Sequence, residues 1–138
     1  MAKKKIEPKL NKMTLAKISN PAFTKSMENF IQTKVPVRAA FKLKTLTNKF
    51  NEELKKFQEL RIQILERHCD RDDEAKPAID ENGNYKFSNA IQVQLVTKEI
   101  NDLLSIEIEF TPILIADLGD MSLSGDELLS LGEVISDV

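Results

Sequence analysis

Apolar residues in the middle of this chain recur every seven positions. Leu43, Phe50, Phe57 and Ile64 mark the repeat, Leu46 and Leu60 fill positions between them, and Leu54 widens the stripe. From Pro36 to His68 no glycine and no second proline interrupts it. This is the spacing of a helix that buries one face. At about 1.5 Å per residue such a helix is roughly 50 Å long. Helices draw most of their stability from packing, so one this long needs a partner along its length.

Shorter patterns flank it. "SNPAF" places Ser19 or Asn20 as a helix cap with Pro21 at the first helical position, and Phe23, Met27, Phe30 and Ile31 follow at helical spacing. Pro36 ends that helix by pushing Val35 out of helical geometry. Downstream, Ser88 or Asn89 caps a helix reaching about residue 104. Its stripe is Val93, Val96, Ile100 and Leu103, with Ile91, Leu95 and Leu104 beside it. The period then changes to two. Ile106, Ile108 and Phe110 alternate with Glu107 and Glu109, which predicts a half-buried strand ended by Pro112. "ILIADL" is a further apolar run. Ser124 stands three residues before Glu127, a capping box for a closing helix carrying Leu128, Leu129, Leu131, Val134 and Ile135.

The expected fold is therefore α+β and mostly α. A long antiparallel helical hairpin forms the body, with a small β-hairpin or strand element and a short C-terminal helix. Residues 1–19 are expected to be a flexible basic arm, and residues 20–138 a single helical-hairpin domain. Composition agrees: 138 residues suit one domain, and with 4 glycines and 5 prolines the chain favours helices over a multi-turn β-sandwich. No run approaches the roughly 20 apolar residues of a membrane span, and the basic start lacks the apolar segment of a secretory signal. The single cysteine, Cys69, rules out an intrachain disulfide and suggests a reducing setting.

A net charge of −2 conceals a strong division. Residues 1–67 hold 16 basic and 6 acidic side chains, whereas residues 68–138 hold 4 and 16. Lys3, Lys4, Lys5, Lys9, Lys12 and Lys17 are candidate nucleic-acid contacts, since clustered lysines release counterions from phosphates. Lys42, Lys44, Lys49, Lys55, Lys56 and Arg61 extend that charge along the long helix. The set lacks the interleaved aromatics on which single strands stack. The same charge division suits contact between copies or with a charged protein partner. Leu128, Leu131 and Ile135 on the closing helix are a candidate interaction surface. An acidic C-terminal half that blocks a basic host surface is a third reading.

Chemistry-bearing motifs are sparse. In "DENGNYKF", Asp80, Asn82 and Asn84 alternate around Gly83 like calcium ligands. In that register Ala78 and Asn89 stand where an EF loop needs its end carboxylates. The better reading is an Asn-Gly hairpin turn, with Ile79 packing across it on Tyr85 or Phe87. His68 and Cys69 adjoin Asp70, Asp72, Asp73 and Glu74, but no second His or Cys completes a zinc site. One histidine, no phosphate-binding glycine loop and no nucleophile motif argue against an enzyme, and no cofactor or metal is expected.

"PVRAAFKL" opening the long helix, "DENGN" at the turn, and Asp117, Leu118, Leu123, Ser124, Leu128, Leu129 and Leu131 in the tail form a wider pattern over about residues 30–135. In these segments the chain resembles small proteins encoded by tailed bacteriophages and prophages. These motifs are structural, so no functional residue carries over. The resemblance implies a viral origin and a role in the virion or its assembly, with the protein in the host cytoplasm or the particle. The expected function is that of a non-enzymatic structural or assembly protein working through contacts with phage or host proteins or with itself; the alternative is a nucleic-acid-binding accessory protein.

Overall fold

A computed structural model describes residues 10–32, 35–119 and 125–136. The order is β1 (Asn11–Thr14), α1 (Leu15–Ile18), α2 (Pro21–Gln32), α3 (Val37–His68), α4 (Ala90–Leu104), β2 (Glu107–Phe110), β3 (Ile113–Leu114), α5 (Gly125–Leu131) and β4 (Ile135–Ser136). The fold is α+β and mostly α, as the periodicity predicts. Helix α3 is the axis. Its second half pairs with α4, which runs back along it, while its first half lies in a compact head built from all the other elements.

The head contains the main departure from expectation. Residues 11–18 do not form a flexible arm. β1 pairs antiparallel with β2, setting Asn11 opposite Phe110 and Met13 opposite Ile108. The amide of Leu15 extends the ladder to the carbonyl of Ile106 at 2.9 Å. Met13, Leu15 and Ile18 are buried. Apolar residues in this segment are too few for a recognisable period, so the lysines dominated its appearance. Lys3, Lys4, Lys5 and Lys9 lie outside the described residues.

The core is one cluster. Phe50 of α3 packs edge-on against Phe23 of α2, with ring centres 6.0 Å apart, and against Phe110 of β2 at 5.3 Å. Leu43, Phe57 and Ile64 are buried as the seven-residue repeat requires. Leu60 is not: it is 43% exposed, because α4 covers a narrower face than the stripe offers. Ile31 and Val93 likewise lie outward on their helices.

The closing segment also differs from expectation. The last helix stops at Leu131, and Ser124 lies outside the described residues. Gly132, with φ of +51°, turns the chain into a 3₁₀ turn through Val134. β4 then pairs parallel with β3, Ile135 opposite Ile113. Gly132 has a second constraint, because a Cβ there would collide with the Lys17 ammonium, which reaches Glu133 at 2.6 Å. The Asn11 side chain donates to the Glu133 carbonyl at 2.7 Å, so β1 is tied to the turn that precedes β4.

These contacts make Ile18 a core residue. Ile18→Ala is expected to cost about 2–5 kcal/mol, the range for truncating a buried aliphatic side chain. Denaturant unfolding checks this; a loss below about 0.5 kcal/mol would return residues 10–19 to the status of an arm.

Candidate interaction surface

The connection between α3 and α4 is a closed knob. Three backbone hydrogen bonds form a ring: Asp70 donates to Lys86, Lys86 to Ala78, and Ala78 to Asp70. Two turns hang from this ring, and they are built alike. In one, Oδ1 of Asp72 accepts from the amides of Glu74 and Lys76; in the other, Oδ1 of Asp80 accepts from those of Asn82 and Asn84. Each aspartate amide donates to the carbonyl four residues on, and each aspartate carbonyl accepts from the amide three residues on. The residue three positions after each aspartate has a positive φ, +61° at Ala75 and +82° at Gly83.

"DENGN" is therefore a turn with three residues between Asp80 and Asn84, and Asn82 does not take the positive φ of a two-residue Asn-Gly turn. Ile79 does pair across it with Tyr85. The Asp80 oxygen that resembled a calcium ligand is engaged by backbone amides. The matching turn at Asp72 was hidden in the sequence because alanine, not glycine, occupies its left-handed position.

Polar groups lock this knob to both helices. Oδ1 of Asp70 accepts from the Ser88 hydroxyl and from Nε2 of Gln92, both at 2.9 Å. Gln92 also donates to the His68 carbonyl at 2.8 Å, and its side-chain oxygen accepts from the Asn89 amide in a full capping box. These donors, Gln92 foremost, hold the Asp70 carboxyl below its ordinary value. The Tyr85 hydroxyl donates to Glu66 at 2.9 Å, and this bond raises the phenol above its ordinary 10.0. Nε2 of His68 lies 3.1 Å from Glu99, which Arg67 also approaches at 3.6 Å. Cys69 is buried, its thiol 3.4 Å from the Glu66 carbonyl. Among the described residues no three His, Cys, Asp or Glu side chains gather as a metal site, so the acidic run beside His68 forms no such cluster.

The sequence-predicted surfaces fare unevenly. Lys12 is 3.6 Å from Glu109 and Lys17 is 2.6 Å from Glu133, so both described lysines of the candidate nucleic-acid set face carboxylates. Leu131 is 1% exposed and Ile135 is packed against the core, so neither belongs to an exposed interaction surface. Their inward turn follows from Gly132 and the β3–β4 pairing. Leu128, at 41%, remains exposed.

Other exposed apolar residues were not singled out from sequence. Val37 and Phe41, 86% and 74% exposed, sit one turn apart at the start of α3. They line a cleft of about 410 Å³ with Arg38, Lys42 and Asp117, and a separate groove runs between α2 and α3. It consists of two clefts of about 160 and 390 Å³ that share Ile31 and Thr47, with Met27, Leu54, Val35 and Leu43 among their walls. The Thr47 hydroxyl is buried there with no described hydrogen-bond partner. Phe41 lies on the side of α3 away from the heptad stripe, so that stripe gives no sign of it, whereas Leu43 and Leu54 of the stripe itself line the groove.

Comparison with protein-family models, curated proteins and solved structures finds no match to this chain. Among the described residues no helix is long and apolar enough to cross a membrane.

Two measurements follow from the geometry. Lys42 bonds Asp117 at 2.5 Å and Lys17 bonds Glu133, and each bond depresses its carboxyl pKa. With Asp70 also depressed, their stabilisation is complete above the ordinary values of 3.8 for aspartate and 4.5 for glutamate. It is lost as pH falls through the lowered values. The melting temperature should hold to about pH 5 and drop below about pH 4, less steeply in Asp117→Asn.

Ala75→Gly should gain about 0.5–1 kcal/mol by relieving left-handed strain, and Gly83→Ala should lose about 1 kcal/mol. Equal and opposite shifts in denaturant midpoint would show that the two turns share one conformation; no change in either would refute it.

Proposed function

We propose that this chain is a non-enzymatic structural or assembly protein that works by protein–protein contact. The observation that carries this reading is the apolar surface on α3: Val37 and Phe41 stand in the open, and a separate groove against α2 has walls that are mostly hydrocarbon. An exposed aromatic and an apolar groove on the same helix are typical of a surface that another protein covers. The resemblance to tailed-phage proteins supports a place in the virion or in its assembly, in the host cytoplasm or the particle.

The nucleic-acid alternative has less support. Lys12, Lys17 and Lys42 each face a carboxylate, which lowers the positive potential a phosphate backbone would meet.

Cross-linking followed by mass spectrometry in cells producing the protein should join Lys42 or Lys44 to another polypeptide, and Phe41→Asp should abolish that capture without lowering the melting temperature. A strictly monomeric chain with no cross-linked partner would overturn the proposal. Gel shifts on DNA or RNA that fade steeply with salt would favour the alternative instead.

A further inference from the structure

Helix α3 has 32 residues and α4 only 15, so α4 covers just the second half of α3. One flank of α3 is only partly covered: Ala40 and Ile62 are exposed, Thr47, Leu54 and Leu65 half-buried, and Leu43 buried. Ala40, Leu43, Thr47 and Leu54 line the groove beside α2. The same row continues at helical spacing through Gln58, Ile62 and Leu65, where Ile62 is 44% exposed and Leu65 half-buried.

Charge is reversed between the two ends of this flank. Residues 37–50 carry four basic side chains and no acidic one. The knob, residues 69–88, carries six acidic and three basic. Lys44, Lys49, Asp73 and Glu81 are all exposed, and no ion pair links any of them to a described residue. About 36 Å of helix separates Lys44 from the end of α3, several times the roughly 8 Å screening length at physiological salt. The two ends therefore cannot neutralise each other within one molecule.

We propose that two copies pack antiparallel along this flank, the acidic knob of each against the basic first half of the partner's α3. This rests on the interaction reading above and names its partner as a second copy of the chain. A two-fold axis near Gln58, in the second half of α3, sets the rows side by side from about Asn51 to Leu65. It also brings Lys44 and Lys49 toward the partner's Asp73 and Glu81. A parallel pairing would put basic against basic and acidic against acidic, which repels. The apolar row supplies contact area, and the charge reversal selects the antiparallel direction.

The test uses the full-length chain in sedimentation equilibrium at low and physiological salt, with circular dichroism confirming the fold of every variant. The unaltered chain should be a dimer that weakens as salt rises. Lys44→Glu with Lys49→Glu should weaken it at least tenfold, and so should Asp73→Lys with Glu81→Lys. All four changes in one chain should restore most of the affinity, because reversed ends still meet opposite ends. Ile62→Glu should weaken the dimer while leaving the melting temperature unchanged. A monomer at about 100 μM, which implies a Kd above that concentration, would overturn the proposal. So would a dimer indifferent to the charge reversals, or a fourfold variant that fails to recover. A monomer that still captures a different protein would overturn the self-pairing and leave the broader interaction reading standing.

Discussion

Phe50 is where three distant stretches of the chain meet. Its ring lies between Phe23 and Phe110, so the first long helix, the axis helix and the strand after α4 share one aromatic contact. Edge-to-face aromatic pairs add about 0.5–1.5 kcal/mol each beyond simple burial. Their larger effect here is positional. With Phe110 fixed, β2 has one face turned inward, and β1 can pair with it in only one register without exposing Met13. The head therefore depends on a side chain at the midpoint of its longest helix.

The far end of the molecule is held by different physics. No charged or polar residue is fully buried among the described residues, yet the knob is dense in hydrogen bonds. Gln92 joins the last carbonyl of α3, the carboxylate of Asp70 and the amides of Ser88 and Asn89 just before α4. Such a linked set fixes the sliding position of one helix against the other more sharply than leucine packing does, because apolar contacts tolerate small shifts and hydrogen bonds do not. Hydrocarbon thus sets the head, and polar geometry sets the tip.

The long periodic elements were legible from sequence because their signals are strong. Four apolar residues at seven-residue spacing marked α3, Ser88 or Asn89 as a cap marked the start of α4, and alternating glutamates marked β2. What could not be read was pairing across distance. Nothing local to residues 11–14 names residues 107–110 as their partner, and β1 is too short to show alternation. The closing segment misled for a related reason. Leu131, Val134 and Ile135 read as a helical face, but Gly132 redirects the chain and the last residues join a strand instead. Val37 and Phe41 lie off the seven-residue seam, and a seam carries no information about residues on the other side of its helix. Lysines were legible as charge, but not as partners of Glu109, Asp117 and Glu133, which lie 75 or more positions away in sequence.

The β1–β2 pairing has a consequence for how the molecule is made. Asn11 meets Phe110, so the strand synthesised first waits for nearly the whole chain before its partner exists. At about 5–20 residues per second, the ribosome needs roughly 5–20 seconds to cover that span. Throughout that interval β1, with Met13 in it, has no strand to pair with. Lys12 lies in β1 and Lys17 just after it, so the unpaired stretch carries positive charge until β2 emerges. Positive charge at this end of the chain is in that sense a property of the nascent polypeptide as much as of the finished protein.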